Sequence, residues 1–438
     1  MLKQVIFSSA LLITIVIFFF TVSRFIAYFR CTRPAFPVGR LGQRFRIMLR
    51  VAFGQTKIFR RPVIGLFHAL VFWGFCVILV GSIEMVIDGV SGVHRSLVFL
   101  GPVYNIITAA ADIFAVLVTV SILVFLARRL FFNIRRFSGI EMKHISHLDA
   151  GVSLILILLL MISLAGMNMF YIVSSEMAGM ETKGCFPVSD WLARHLPSVP
   201  LNVAHALHEA CWWSHILLIF FFANYLPYSK HFHVFMSIPN VFLSRLDPMG
   251  KIPNMPHITD EIRTMLDPSS SAIPPQQEAT LSRFGVKDVE DITWKNYLDA
   301  LSCTECGRCT SVCPANITGK KLSPRKIIMD VRARMKEKGP GLVARGKEYD
   351  DGRSLIRDYV SEEELWACTT CNACATECPV NINHPTLIVD MRRYLVMEEA
   401  RGPAALNAVF SNIENNGAPW QFSREDRMLW AADLYING

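Results

Sequence analysis

An all-α bundle of five transmembrane helices, followed by a small, mainly α-helical domain organised by cysteines, is the fold class that this 438-residue sequence predicts. Three observations predict it. Hydrophobic residues make up 52% of the chain and charged residues only 18%, with a positive mean hydropathy, which is too apolar for an ordinary soluble protein. Five runs are long and apolar enough to cross a bilayer. Eight of the twelve cysteines fall in the second half, in two copies of one spacing.

The five runs lie at 5–29, 62–87, 102–126, 148–173 and 203–226, against the about 20 residues that a spanning helix needs. The first lacks a small-residue cleavage site and is too long for a signal peptide, so it reads as an anchor. Lys and Arg in the short loops set the orientation. Loop 30–61 carries nine basic residues and no acidic one, and loop 127–147 carries Arg128, Arg129, Arg135, Arg136 and Lys143 against Glu141. The loops after the second and fourth spans carry Arg95, Lys183 and Arg194 against Asp88, Glu176, Glu181 and Asp190. The predicted topology is therefore multi-pass in the cytoplasmic (inner) membrane, N-terminus outside and C-terminal half inside, with the lone Lys3 outvoted. Phe45, Met48, Leu49, Val51 and Phe53 are interleaved with the arginines of loop 30–61, as in an interfacial helix. Topology accounts for these basic residues, and no nucleic-acid partner is expected.

The cysteine runs read Cys303-x2-Cys306-x2-Cys309-x3-Cys313-Pro314 and Cys368-x2-Cys371-x2-Cys374-x3-Cys378-Pro379. This is the bacterial spacing for two [4Fe–4S] clusters, in which the fourth cysteine of each run ligates the other cluster. A zinc site needs four thiolates, usually as two separated Cys-x2-Cys pairs, and does not explain this rhythm. The crossed rule assigns Cys303, Cys306, Cys309 and Cys378 to one cluster, and Cys368, Cys371, Cys374 and Cys313 to the other. Pro314 and Pro379 redirect the chain after each run, Gly307 and Ala373 keep the turns tight, and His384 is expected on the surface. Thiolate clusters favour a reducing compartment, which again puts this half in the cytoplasm. Cys31, Cys76, Cys185 and Cys211 show no spacing, and no disulfide framework is predicted.

Ionisable residues inside a membrane are costly and usually functional. The second span carries His68; the fifth and its extension carry His205, His208, His215, His231 and His233. Eighteen residues separate His215 from His233, five helical turns, so both face one way if the helix continues past Pro227. Neutral imidazole ligates haem iron, and bundles build cofactor sites between facing helices. Hydrogen bonding between helices is the plainer alternative for any one of these histidines.

The stretch from His215 to His233, with Pro227, Ser229 and Lys230 between, resembles the last helix of the nitrate reductase gamma-subunit family of five-helix membrane cytochromes b. In that family two histidines at this separation ligate two haems, with two histidines ten residues apart on the second helix as partners. His68 matches the first of those partners, and Ile78 stands where the other should be. The resemblance covers roughly residues 1–240. It implies one haem b held by His68 and His233 and leaves His215 without its usual partner. A second haem would need His208, Met161, Met167 or another residue as ligand. Otherwise His205, His208, Glu209 and His215, paired with Glu84 or His94, form a polar cluster suited to a quinone headgroup, or they hydrogen-bond between helices.

Residues 241–293 read as a linker loop, with Pro248, Gly250, Pro253, Pro256, Pro274 and Pro275 as its breakers. A short helix at 294–301 leads into the first cysteine run. The helix-favouring stretch 324–365 is expected to break at Gly339, Gly341 and Gly352. Residues 294–400 resemble the ferredoxin-like 2[4Fe–4S] domains of heterodisulfide reductase C-subunits, anaerobic glycerol-3-phosphate dehydrogenase C-subunits and succinate dehydrogenase iron–sulfur proteins. Residues 401–438, with Phe410, Trp420, Phe422 and Trp430, read as a partner-docking tail. No GxGxxG, Walker or Ser/His/Asp pattern appears, so no catalytic residue is assigned.

As a whole the chain resembles the N-terminal part of membrane iron–sulfur oxidoreductases of the electron-transfer-flavoprotein:quinone and heterodisulfide-reductase-like group, where domains with adjacent Cys-Cys-Gly follow. The resemblance implies an electron-transfer subunit of a quinone-linked oxidoreductase. It further implies a separate cytoplasmic Cys-Cys-Gly subunit, an electron-transfer flavoprotein or flavin dehydrogenase as donor, and menaquinone as acceptor. Quinol oxidation towards a cytoplasmic disulfide or sulfur reductase uses the same parts. A non-enzymatic redox sensor or scaffold is the alternative of another class.

Overall fold

The structure, a computed structural model, describes residues 1–267, 283–423 and 425–435. Five helices are long and apolar enough to cross a membrane: α1 (Leu2–Cys31), α3 (Pro62–Ser91), α4 (Pro102–Phe131), α5 (His144–Met177) and α7 (Leu201–Tyr225). The first four predicted spans lie inside these helices, and the fifth runs one residue past α7 to Leu226. Short helices α2 (Leu41–Met48) and α6 (Pro187–Arg194) occupy the first and fourth loops. Pro62 and Pro102 open α3 and α4, where the missing amide hydrogen costs no bond. α5 packs against α4, α6 and α7, while α3 packs against α1 and α4. Their shared core includes Phe7, Ile78, Val118, Met161, Met167 and Trp212. Ile13, Phe19, Phe20, Ile106 and Leu123 stay exposed, as lipid-facing residues do.

The second half is built from α8 (His233–Phe242), α9 (Pro256–Leu266), α10 (Trp294–Ser302), α11 (Arg308–Ser311), α12 (Pro314–Ile317), α13 (Pro324–Arg345), α14 (Leu355–Asp358), α15 (Glu362–Trp366), α16 (Ala373–Glu377), α17 (His384–Met397) and α18 (Ala404–Asn416). Among the described residues no strand forms; the bridges Arg33–Thr293 and Ile356–Val360 are isolated. Capping boxes start α10 (Thr293 with Asn296) and α15 (Ser361 with Glu364), satisfying amides that the first helical turn leaves free.

Two local expectations are corrected. The linker is not all loop: Pro256 opens α9, and Ile258, Ile262 and Met265 recur at helical spacing after it. Pro274 and Pro275 lie outside the described residues. α13 runs unbroken through Gly339 and Gly341. Glycine serves there for close approach: a Cβ on Gly339 would sit 2.8 Å from the Tyr28 ring. Gly352, with φ of +75°, does lie beyond the helix in a turn.

That Tyr28 contact is one of many joining the halves. Tyr28 and Cys31 of α1 and Phe232 after α7 belong to the same core as Ile292, Leu301, Ile328, Met335 and Leu387. The loop after α1 pairs with the cysteine domain through Arg33 N–H to Ile292 O (2.8 Å) and Trp294 N–H to Arg33 O (2.9 Å). Arg325 of α13, fully buried, reaches Glu141 (2.8 Å), Arg136 O (2.7 Å) and Ser138 O (3.0 Å) in the loop after α4. The two basic loops therefore meet the cysteine domain. The N-terminus lies at the opposite end of the bundle, where Lys3 pairs with Glu209 at 2.6 Å and Gln4 donates to Ser91 O.

Candidate functional site

Each cysteine run folds the same way. Glu305 and Gly307, flanking Cys306, have φ of 57° and 70°; Thr370 and Asn372, flanking Cys371, have φ of 54° and 61°. Such left-handed residues turn backbone N–H groups into a concavity that takes an anion. For Glu305 and β-branched Thr370 the conformation costs of order 1–3 kcal/mol each. The amides point at sulfur: Thr370 N–H at Cys368 Sγ and Ile382 N–H at Cys378 Sγ, both at 3.4 Å. Gly307 is required outright, because a Cβ there would lie 2.3 Å from Arg136 O. Short helices α11 and α16 then carry Cys309 and Cys374.

The fourth cysteines cross over. Cys378 lies among Cys303, Cys306 and Cys309, and Cys313 among Cys368, Cys371 and Cys374. The second nest lines a cavity with Leu322 and Ile388. Burial, with the neighbouring sulfurs adding to it, pushes Cys303 up to about 11 and Cys374 and Cys378 up to about 12. Four such groups ionise together only around a cationic core, and metal coordination deprotonates a thiol outright. Among the described residues no three His, Cys, Asp or Glu side chains converge as one metal ion requires; the sulfurs ring a space instead. This donor set fits a cubane cluster. In the first nest Cys303, Cys309 and Cys378 are buried, whereas Cys371 of the second is exposed.

The first nest touches both histidine-bearing segments of the membrane half. Arg308 donates to Lys57 O (3.0 Å), and Lys57 Nζ donates to Cys378 O (3.1 Å), in the loop that leads to His68. Glu305 pairs with Lys230 (3.4 Å), three residues before His233. His68 and His233 are electrostatic neighbours. His233 Nδ1–H donates to Lys230 O (3.2 Å), which leaves Nε2 free, and metal-ligating histidines are commonly oriented by such a bond from the other ring nitrogen. Burial lowers its pKa, so the ring is neutral. His231, its ring 5.8 Å away, is pushed down to about 3 by burial and by His233. His68 Nδ1 is buried with no hydrogen-bond partner.

Arg136, which shares the neighbour Arg308 with His68, buries Nε and Nη1 without partners. Burial and then Arg61 push it down to about 10, with Cys306, Arg128 and Arg308 also close. An orphaned ring nitrogen on His68, a carbonyl-fixed His233 and unpaired guanidinium nitrogens together fit a haem with its carboxylates.

α7 and α8 are not one helix, so the five-turn count from His215 to His233 does not apply. After Tyr225 the chain makes two 3-10 turns. Asp149 holds that break, accepting from Tyr225 Oη (2.5 Å) and Lys230 N–H (3.0 Å).

Nor do His205, His208, Glu209 and His215 converge. His205 is exposed, Glu209 is engaged by Lys3, and His208 Nδ1–H donates to Met167 O at 3.0 Å. His94 is exposed, and Met161 and Met167 are buried in the bundle core. Only His215 of the four, 2% exposed, lines the crevice that also holds Ile78 and Glu84. Arg95 and Tyr104 line it too; no sequence motif marks them, though buried Glu84 needed such partners. His384 is not on the surface: it is 1% exposed, in the core beside α17, and burial pushes it down to about 3.

A five-span bundle joined to two crossed cysteine nests defines a membrane iron–sulfur electron-transfer protein. Residues 302–382 match the family model of a 4Fe-4S dicluster domain, which supplies two [4Fe–4S] clusters. The chain is 30% identical over 426 residues to the probable iron-sulfur-binding oxidoreductase FadF of Bacillus subtilis, covering 89% of this chain and 55% of that protein. It is 28% identical over 416 residues to the EtfAB:quinone oxidoreductase of Syntrophomonas wolfei, covering 89% and 54%. The C-subunit of a CoB-CoM heterodisulfide reductase from Methanosarcina acetivorans is 35% identical over 102 residues, 23% of this chain and 49% of that one. The chain thus spans about half the length of these two curated relatives. No solved structure matches it.

Proposed function

We propose that the chain is an electron-transfer subunit of a quinone-linked membrane oxidoreductase, with residues 1–240 a cytochrome b-type bundle, 241–293 a linker, 294–400 the cluster domain and 401–438 a docking tail. One observation carries the reading: the first nest contacts both segments that bring His68 and His233 together. Clusters on Cys303/Cys306/Cys309/Cys378 and Cys368/Cys371/Cys374/Cys313, with one haem b on His68 and His233, supply one-electron carriers along this line.

The chain's own residues position and tune. Amides at Cys368 and Cys378 and the guanidinium of Arg308 offset negative charge at the nests. Arg136 takes a haem carboxylate. Cys371, exposed, marks the edge where a soluble donor approaches, and Trp420, Phe422 and Trp430, all exposed, suit the same partner. The donor is an electron-transfer flavoprotein or flavin dehydrogenase and the acceptor menaquinone, in keeping with the name of the Syntrophomonas relative. The basic loops share the face of the cluster domain, so that face is cytoplasmic by the positive-inside rule.

A reduced-minus-oxidised spectrum of the anaerobically purified chain tests this. It should show b-type haem equimolar with protein, lost in His68→Ala and in His233→Ala and kept in His215→Ala. No haem band in the unaltered chain would remove the cytochrome reading.

A further inference from the structure

The crevice lies between α3, α4, α5 and α7, at the end of the bundle away from the cysteine domain, and encloses only about 40 Å³ behind an open mouth. Small-molecule sites are mostly apolar with a few convergent polar groups. Ile78, Leu164 and Met167 form apolar wall. Ser82, Thr108 and Asn168 belong to its polar lining together with Glu84, Tyr104 and His215, the last three respectively 3%, 1% and 2% exposed, with Arg95 at the loop. Buried ionisable side chains in an intramembrane crevice are costly and usually functional.

Their hydrogen bonds fix what each can offer. His215 Nδ1–H donates to Leu160 O (3.0 Å), with Ser163 Oγ at 2.9 Å. A carbonyl only accepts, so in the neutral ring Nε2 is left as an acceptor. Glu84 takes the Leu97 N–H (3.0 Å) on one oxygen and the Tyr104 hydroxyl (3.1 Å) on the other, and Arg95 lies 3.9 Å away. A carboxylate has further lone pairs to accept with. His215 Nε2 and Glu84 are therefore acceptors set between apolar walls.

We propose that it binds the headgroup of a membrane quinol, its two hydroxyls donating to His215 Nε2 and to Glu84. Oxidation releases two electrons, one at a time, into the one-electron carriers of the proposed line. Both O–H bonds break, the protons go to His215 and Glu84, and the ring leaves as a quinone. Reduction runs the same steps backwards. The inference rests on the proposed electron line for turnover but not for binding. Ile78 stands ten residues from His68 on α3, about 15 Å along the helix.

Binding of a fluorescent quinolone N-oxide, a quinol analogue, to the full-length chain in detergent tests the site. Glu84→Gln and Tyr104→Phe should each weaken quenching about tenfold, the loss of one charge-assisted hydrogen bond or of the group that orients it, with cluster absorption unchanged. His68→Ala should bind the analogue as the unaltered chain does, so failure of the haem reading and failure of this site stay distinguishable. If Glu84→Gln does not fold, Tyr104→Phe decides. Unaltered affinity in both variants, no binding by the unaltered chain, or loss of haem from a His215→Asn chain would each overturn the proposal.

Discussion

Asp330 shows how one residue sets a pH dependence in the cluster domain. Its carboxylate accepts from Lys326 Nζ at 2.8 Å, but Glu364 takes the same ammonium at 3.0 Å. Burial pushes Asp330 up to about 6, against the pull of Lys326 and with Glu364 and Glu141 adding to the rise. The ordinary value is about 3.9. A raised folded-state value means that the folded chain binds the extra proton. The stabilisation is then complete below about pH 4 and is lost as pH rises through about 6. Asp330→Asn keeps an acceptor for Lys326 and removes this slope. Thermal loss of cluster absorption should shift to higher temperature at pH 7, corresponding to roughly 1–2 kcal/mol after discounting for partial exposure, with the gain vanishing near pH 4. An unchanged pH profile in the variant would assign the slope to another group.

The informative elements are the two cysteine runs, each of which repeats left-handed turns at matching positions and sends its fourth cysteine to the other nest. Substituting Cys313 should therefore disturb the cluster of the second run, although Cys313 belongs to the first. In Cys313→Ser the paramagnetic signal should fall to that of one cluster, and the survivor should be the one lost in Cys306→Ala. If Cys313→Ser and Cys306→Ala abolish the same signal, the crossing is wrong. The spacing alone made this geometry legible, because a nest needs a fixed number of residues between ligands. The spans were equally legible, since about 20 apolar residues leave few alternatives. Periodicity failed where tertiary contacts override it. Gly339 and Gly341 read as breakers until Tyr28 and Tyr349 supply rings that only a missing Cβ admits. The turn between α7 and α8 is held by Asp149 from α5, about eighty residues upstream of Lys230, a distance no local pattern reports. The same reason blurred the crevice, of which the sequence suggested only His215 and Glu84 and grouped them with His205, His208 and Glu209, which do not line it. Its polar lining comes from α3, the loop after it, α4, α5 and α7, and no local motif links them.

At the scale of the whole molecule, what matters is that the clusters and the crevice lie at opposite ends of one bundle. Arg325 and Arg33 fix the cysteine domain at one end, while the crevice closes near Leu97 and Phe186 at the other. Protons exchanged at His215 and Glu84 then come and go at the far face, whereas electrons must travel along the bundle. Quinone reduction in the proposed crevice would therefore move negative charge from the cluster side towards the far side without a compensating proton. One charge moved across the full membrane responds to about 2.3 kcal/mol per 100 mV. The step between His68 and the crevice covers about 15 Å of a roughly 30 Å core, so about half of that, a fivefold to tenfold change, falls on the haem–quinol equilibrium. In proteoliposomes carrying the chain in one orientation, a potassium diffusion potential positive on the far side should pull electrons from the proposed haem to quinone. Reversing the potential should drive quinol to reduce it. The fraction of reduced haem at a fixed quinol-to-quinone ratio gives the answer directly. A fraction indifferent to the imposed potential would mean that quinone reacts on the cluster side, and the crevice would then be a buried polar cluster with no part in turnover.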